Sequence, residues 1–164
     1  MERIELFTQL MDALFAFGQT SEINQNLPRT YGTDDVLYMA EVHMLRDIAN
    51  NEGITVTELA QINAKTKSAV SQLTDKLAQK GLIEKRKHPG GNRQVALYLT
   101  EKGSVVNNYH TKFDRREYRQ VLSKLNDYSD QDFQKILGFI NIISSGNERA
   151  IRSKKRNKNS SDPA

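Results

Sequence analysis

The residues of this chain best equipped to act on a partner lie between Lys65 and Arg93. Lys65, Thr66, Lys67, Ser68, Ser71, Gln72 and Lys76 fall at the spacing of one short helix, and Lys85, Arg86, Lys87 and Arg93 bracket the turn formers His88-Pro89-Gly90-Gly91-Asn92. The stretch holds eight Lys/Arg against two acids, Asp75 and Glu84. That mixture suits double-stranded DNA. A glutamine can bond adenine through two atoms, a lysine can reach the acceptors of guanine, hydroxyls serve base or phosphate, and cations neutralise phosphates. Charge gives affinity for any polyanion, so Thr66, Ser68, Ser71 and Gln72 are the part able to read sequence. The plainer alternative is a solvated helix face beside a hairpin kept soluble by edge lysines. It explains the lysines better than it explains Arg93.

Catalytic chemistry is poorly supplied. The chain has no cysteine, three scattered histidines and no glycine-rich phosphate loop. Absent cysteine excludes disulfides, thiolate metal sites and thiol nucleophiles, and no serine sits in a recognisable base arrangement. The expectation is a protein that is not an enzyme and holds no cofactor. His43, and His110 with Asp114 at i, i+4, place metal-ligand types on helix faces. Scattered histidines of this kind read as half-buried side chains, so no metal site is expected.

These groups need elements to hold them. Thr55-Val56-Thr57-Glu58 fits a capping box that opens a short helix from Val56 to about Ile62. An Asn63-Ala64-Lys65 turn leads to Thr66, the predicted N-cap of a helix to about Lys80 that buries Val70, Leu73 and Leu77 and stops at Gly81. Two helices on so short a turn make a helix-turn-helix. Leu82 to Lys87 and Arg93 to Thr100 are the predicted strands of a wing, with Val95, Leu97 and Leu99 facing inward.

Apolar periodicity sets the remaining elements. Residues 2–17 place Ile4, Phe7, Leu10, Met11, Leu14 and Phe17 on one helix face, stopping near Gly18. A second helix is expected from Thr33/Asp34 to about Asn50, with Leu37, Ala40, Met44, Leu45 and Ile48 inward. Thr100 caps a helix to about Leu125, and Ser129 caps a last one holding Phe133, Ile136, Leu137, Ile140 and Ile143. From Gly146 the composition turns basic and polar, which predicts a tail without regular structure. The fold class is mainly α with a small β-hairpin.

The bulk numbers agree with a DNA partner and a partner subunit. At 37% hydrophobic, the 164 residues are lean for a self-contained globule. The net charge of +4 hides a polarised chain, because residues 1–64 carry three Arg against ten acids. No signal peptide is apparent and no apolar run reaches membrane-span length, so a cytoplasmic protein without membrane contact is expected.

The motifs ITVTELAQ, TKSAVSQLTDKLAQKGLIEK and VALYLTEKG, in that order, resemble the winged-helix core of the MarR (multiple-antibiotic-resistance regulator) family over roughly residues 34–103. The resemblance implies a homodimer whose first, fifth and sixth helices interlock, with a DNA-binding lobe on each subunit and repression relieved by a small-molecule effector. Segments 1–30 and 101–145 would then form the dimer, 34–100 the winged helix-turn-helix lobe, and 146–164 a disordered basic tail. Arg93, seven residues before Thr100, matches the family's wing arginine, but Gly91 stands where an acid usually braces it. The rival reading is a winged-helix module for protein assembly, or a nonspecific nucleic-acid binder.

Overall fold

The structure, a computed structural model, describes residues 2–87 and 94–160. Arg93 and the wing tip His88 to Asn92 therefore lie outside the described residues. The element order is α1 (Arg3–Gln25), α2 (Met39–Asn50), α3 (Val56–Ile62), α4 (Lys67–Gln79), β1 (Ile83–Lys87), β2 (Val95–Leu99), α5 (Glu101–Leu122) and α6 (Asp130–Ser160). The mainly helical class with one hairpin is as expected. The chain divides into two compact units, 1–115 and 116–164.

In the first unit the core gathers Leu37, Met44, Leu45 and Ile48 around α2 with Leu59 of α3, Val70 and Leu77 of α4, Leu82 and Leu97 of the hairpin, and Val106 of α5. Each such side chain, fully buried, contributes roughly 1.5–3 kcal/mol. The hairpin is antiparallel, with Ile83 opposite Leu99 and Lys87 opposite Val95. A further segment lies along β2: Gly53 N–H donates to the Leu97 carbonyl (3.0 Å) and Leu97 N–H to that of Ile54 (2.9 Å). That cover explains a departure from the predicted alternation. Ala96 is buried as fully as Leu97, while Val95 is exposed.

Helix boundaries depart from the sequence reading where local signals were outweighed. α1 runs through Gly18 to Gln25, because one interior glycine costs only about 1 kcal/mol against alanine. α2 starts at Met39 and not at Thr33/Asp34. Arg29 and Leu37 exchange backbone bonds of 2.9 and 2.8 Å, which hold the preceding segment extended. Ala40 is consequently exposed, and Val42 takes the inward place. α5 ends at Leu122, short of Leu125.

Two tight joints fix α3, α4 and the hairpin. Between α3 and α4, Lys65 N–H donates to the Ala60 carbonyl (3.0 Å) and Ala64 N–H to that of Gln61 (3.2 Å). This is the Schellman pattern, and it puts Ala64 at φ 50°, where glycine is usual. Between α4 and β1 the same pattern uses Gly81, at φ 68°. The start of α5 then rests on that second turn: the Thr100 hydroxyl donates to the Gly81 carbonyl at 2.7 Å, and a Cβ on Gly103 would stand 2.0 Å from the Leu82 carbonyl oxygen.

Among the described residues, the buried Tyr31 hydroxyl and the His110 ring both lack a hydrogen bond. His110 of α5 is 1% exposed, and neither ring nitrogen finds a hydrogen-bond partner, although Nε2 lies 3.4 Å from Asp114. The rings of Tyr31 and His43 pack on it at centroid distances of 5.7 and 5.4 Å. Burial pushes the His110 pKa down, Asp114 opposes this and Arg46 adds to it, with a net lowering. His43 is lowered as well, first by burial and then by Arg46.

The second unit holds the end of α5 and α6. Ser129 caps α6 as expected: its hydroxyl accepts from Asp132 N–H (3.3 Å) and donates to the Asp132 carboxylate (2.6 Å). The Ser129 hydroxyl, the Ser129 N–H (3.1 Å) and Lys135, all donating to the carboxylate, draw the Asp132 pKa down to about 2. The helix continues past Gly146 to Ser160, where composition predicted a tail without regular structure. Helix propagation accounts for this, since each added residue gains a backbone bond once the nucleus exists.

Two measurements check these features. Gly103→Ala lowers the unfolding free energy by about 3 kcal/mol, because backbone must move, whereas Ala64→Gly raises it by roughly 0.5–1 kcal/mol; denaturant titration reads both. Unfolded histidine titrates near 6.5, above the lowered folded value, so the unfolded chain binds more protons as pH falls. Stability is complete above about pH 6.5 and declines below it. Thermal melts at pH 7.5 and 5.5 should show this decline, and His110→Leu should flatten it; an equally steep decline in the variant would remove His110 from the account.

Candidate nucleic-acid interface

The candidate surface is built on α4. Thr66 caps it, the hydroxyl accepting from Ala69 N–H at 3.2 Å, so the predicted cap is present and that oxygen is engaged. Val70, Thr74 and Leu77 face the core, with the Thr74 hydroxyl donating to the Ser71 carbonyl at 2.9 Å. At 100° per residue, Ser68, Gln72 and Asp75 point the opposite way, and all three are exposed. Leu73, expected in the core, is only partly buried and packs against its edge.

The structure divides the residues proposed from sequence. Lys65, Thr66, Lys67, Ser68 and Gln72 are exposed along the turn and the first half of α4, with Ser71 half-buried on the flank beside β2. Lys76 is on the other flank. Its Nζ lies 3.4 Å from Glu41 and 5.5 Å from the centre of the Tyr38 ring. Glu41, 2% exposed, also receives Lys80 Nζ at 2.7 Å and Tyr38 N–H at 2.8 Å. Burial raises the Glu41 pKa, but the Lys80 and Tyr38 bonds and the two lysine charges outweigh it, and the net is lowered.

The described part of the wing is also internally paired. Lys85 Nζ meets Asp75 of α4 at 2.5 Å, tying β1 to the candidate helix. Arg86 forks onto Glu84 at 2.7 and 3.0 Å and stacks 4.7 Å over the Tyr98 ring. The Glu84 bonds and charge raise its pKa further above the ordinary arginine value. Lys87 is exposed at the end of β1. Neither Thr57 nor Gln94 stood out in the sequence, yet both join Lys67, Ser71 and Val95 around a cleft between α3, α4 and β2. Only the polarity of Gln94 at the foot of a basic hairpin hinted at it. Among the described residues no group of three His, Asp or Glu is arranged to hold a metal ion, and no helix is long and apolar enough to cross a membrane.

Comparison with known proteins agrees with this geometry. The family model described as "MarR family" matches residues 37–95. An uncharacterised HTH-type transcriptional regulator of Bacillus subtilis (strain 168), YhjH, is 26% identical over 102 residues, 62% of this chain and 58% of that protein. The HTH-type transcriptional repressor YetL of the same strain is 28% identical over 101 residues, 60% of this chain and 59% of the relative. The matched region thus spans under two thirds of either relative. Among solved structures, Streptococcus pneumoniae FabT in complex with DNA superposes with a TM-score of 0.67 at 18% identity, covering 90% of this chain and 99% of FabT. The motifs, the hairpin packed on a helix-turn-helix and the matched segment converge on one similarity: residues 37–95 match the MarR-family model, and the fold is that of a winged helix-turn-helix.

Proposed function

We propose that this chain is a sequence-specific DNA-binding transcriptional regulator, a homodimeric repressor that binds a palindromic operator and is released by a small-molecule effector. The observation that carries the reading is the exposed Ser68–Gln72 face of α4, opposite its buried stripe and beside a cationic hairpin, within a MarR-family domain. A helix of this kind fits the major groove, where Gln72 can pair with adenine and Lys65 or Lys67 with guanine or phosphate. FabT in its DNA complex and the repressor YetL lend support by similarity.

The dimer is supported by apolar surface that each unit leaves uncovered. α1 buries no residue, and Phe15 and Phe17 are each 71% exposed beside Ile4, Phe7 and Leu10. In the second unit, Ile136, Leu137, Ile140 and Ile142 of α6 are exposed. Patches of this length on a monomer mark interaction surfaces. Pairing two copies would set two α4 helices about one DNA turn apart, roughly 34–36 Å. The effector rests on the family resemblance alone.

Selection of bound fragments from genomic DNA, followed by footprinting, tests the reading. A single palindrome protected in excess competitor is the expected result, with log affinity falling linearly with log salt. Gln72→Ala should cost roughly 1–3 kcal/mol at one position of each half-site and relax preference there. Sedimentation should give a dimer at micromolar concentration. Equal affinity for every duplex, or for none, would favour nonspecific binding or protein assembly instead.

A further inference from the structure

Resting on that reading, we propose that the buried contact between His43 and His110 is a proton switch: acidification charges it, parts α2 from α5 and lowers affinity for DNA. Geometry carries the argument. The two rings, one from α2 and one from α5, meet with centroids 5.4 Å apart, and the Tyr31 ring stands edge-on to His110 at 5.7 Å. His110 is 1% exposed, and neither its ring nitrogens nor the Tyr31 hydroxyl has a hydrogen bond. A neutral imidazole tolerates such a place at modest cost. An imidazolium, with two N–H donors and a charge, is far more costly to keep there. Around the rings, Asp114 of α5 favours the proton, Asp47 of α2 favours it at His43, and Arg46 of α2 opposes it. Tyr31 adds a further titratable hydroxyl. Burial and Arg46 prevail, so both histidines are held below their ordinary value.

The same two helices hold α4. From α2, Glu41 stands two residues before His43 and takes Lys76 and Lys80. From the start of α5, Thr100 donates to the Gly81 carbonyl and Lys102 to the Lys80 carbonyl at 2.9 Å, while Lys102 also meets Asp35 at 2.8 Å. Both grips fall on the C-terminal end of α4. Admitting water between α2 and α5 relieves a charged histidine pair, and that separation loosens both grips at once. In the parted form a hydrated histidine titrates near 6.5, above the lowered value of the closed form. The parted form therefore binds more protons and gains population as pH falls below about 6.5. Apparent affinity for DNA falls with the fraction that stays closed. The sign is diagnostic, because protons that merely add positive charge, as on His88 outside the described residues, strengthen binding to a polyanion.

The test measures affinity of the full chain for its footprinted operator from pH 7.5 to 5.5, at constant salt, with a chelator present, and at a temperature where melts show the chain folded throughout. Wild-type affinity should fall roughly three- to tenfold, within the tenfold per pH unit that one proton allows. His110→Leu should bind equally well at both ends of the range. Should that variant not fold, two substitutions outside the core decide the matter: Asp114→Asn should steepen the fall, and Arg46→Gln should make it shallower. Without DNA, amides of α2 and of the first half of α5 should exchange hydrogen faster at pH 5.5 than their intrinsic rates predict. Affinity that rises or stays level on acidification, an equal fall in His110→Leu, or a fall that needs added zinc overturns the inference and leaves DNA binding standing. A chain that binds no duplex at pH 7.5 overturns the functional reading, and the switch as a DNA control with it. Hydrogen exchange then decides the parting of α2 from α5 separately, with unchanged protection overturning that as well.

Discussion

Glu41 lies in the first turn of α2 with almost no exposed surface, and it stays ionised there because Lys80, the Tyr38 N–H and Lys76 surround its carboxylate. Through Tyr38 the carboxylate closes the start of α2, through Lys80 it holds the C-terminal end of α4, and Lys80 in turn donates to the Val36 carbonyl at 2.9 Å. A buried carboxylate stripped of its partners is destabilising by about 3–5 kcal/mol, less where lysines keep some water as these do. Stability is the smaller part of its role. An aliphatic contact would let α4 slide or rotate, whereas charged hydrogen bonds with defined directions fix its angle, and that angle decides which side chains leave the surface.

The same economy of charge runs through the outer surface. Asp75 and Glu84, the two acids in the basic stretch, are each matched by a cation within it, Lys85 and Arg86. Exposed pairs of this kind contribute little to stability, but they prevent two carboxylates from facing a polyanion unscreened. They also mean that the formal excess of Lys/Arg overstates what is free to meet phosphate. Lys76, Lys80 and Lys85 are paired with Glu41 or Asp75; Lys65, Lys67 and Lys87 are exposed. On the proposed reading, affinity for DNA would rest on fewer cations than the sequence suggests, and discrimination on the neutral side chains between them.

What the amino-acid sequence determined by itself is the local grammar around the helix-turn-helix. The Thr55–Glu58 box, the Thr66 cap and the Gly81 stop are present as read, because capping depends on residues within four positions of one another and on little else. Periodicity likewise found the helices and the hairpin, and the order of motifs was enough to point to the family. Tertiary structure decided the rest. Gly18 reads as a stop and is not one, since a glycine's local cost is small beside a continuing helix. Thr33/Asp34 reads as a start and is not one, since pairing of Arg29 with Leu37 holds that segment extended. Lys76, read from sequence as a groove residue, also lies beside a glutamate 35 positions earlier in the chain, and Ala96 is buried by a segment that no strand pattern announces. The cleft joining Thr57, Lys67 and Gln94 belongs to the same class. Its walls come from three elements separated in sequence, and only packing brings them together.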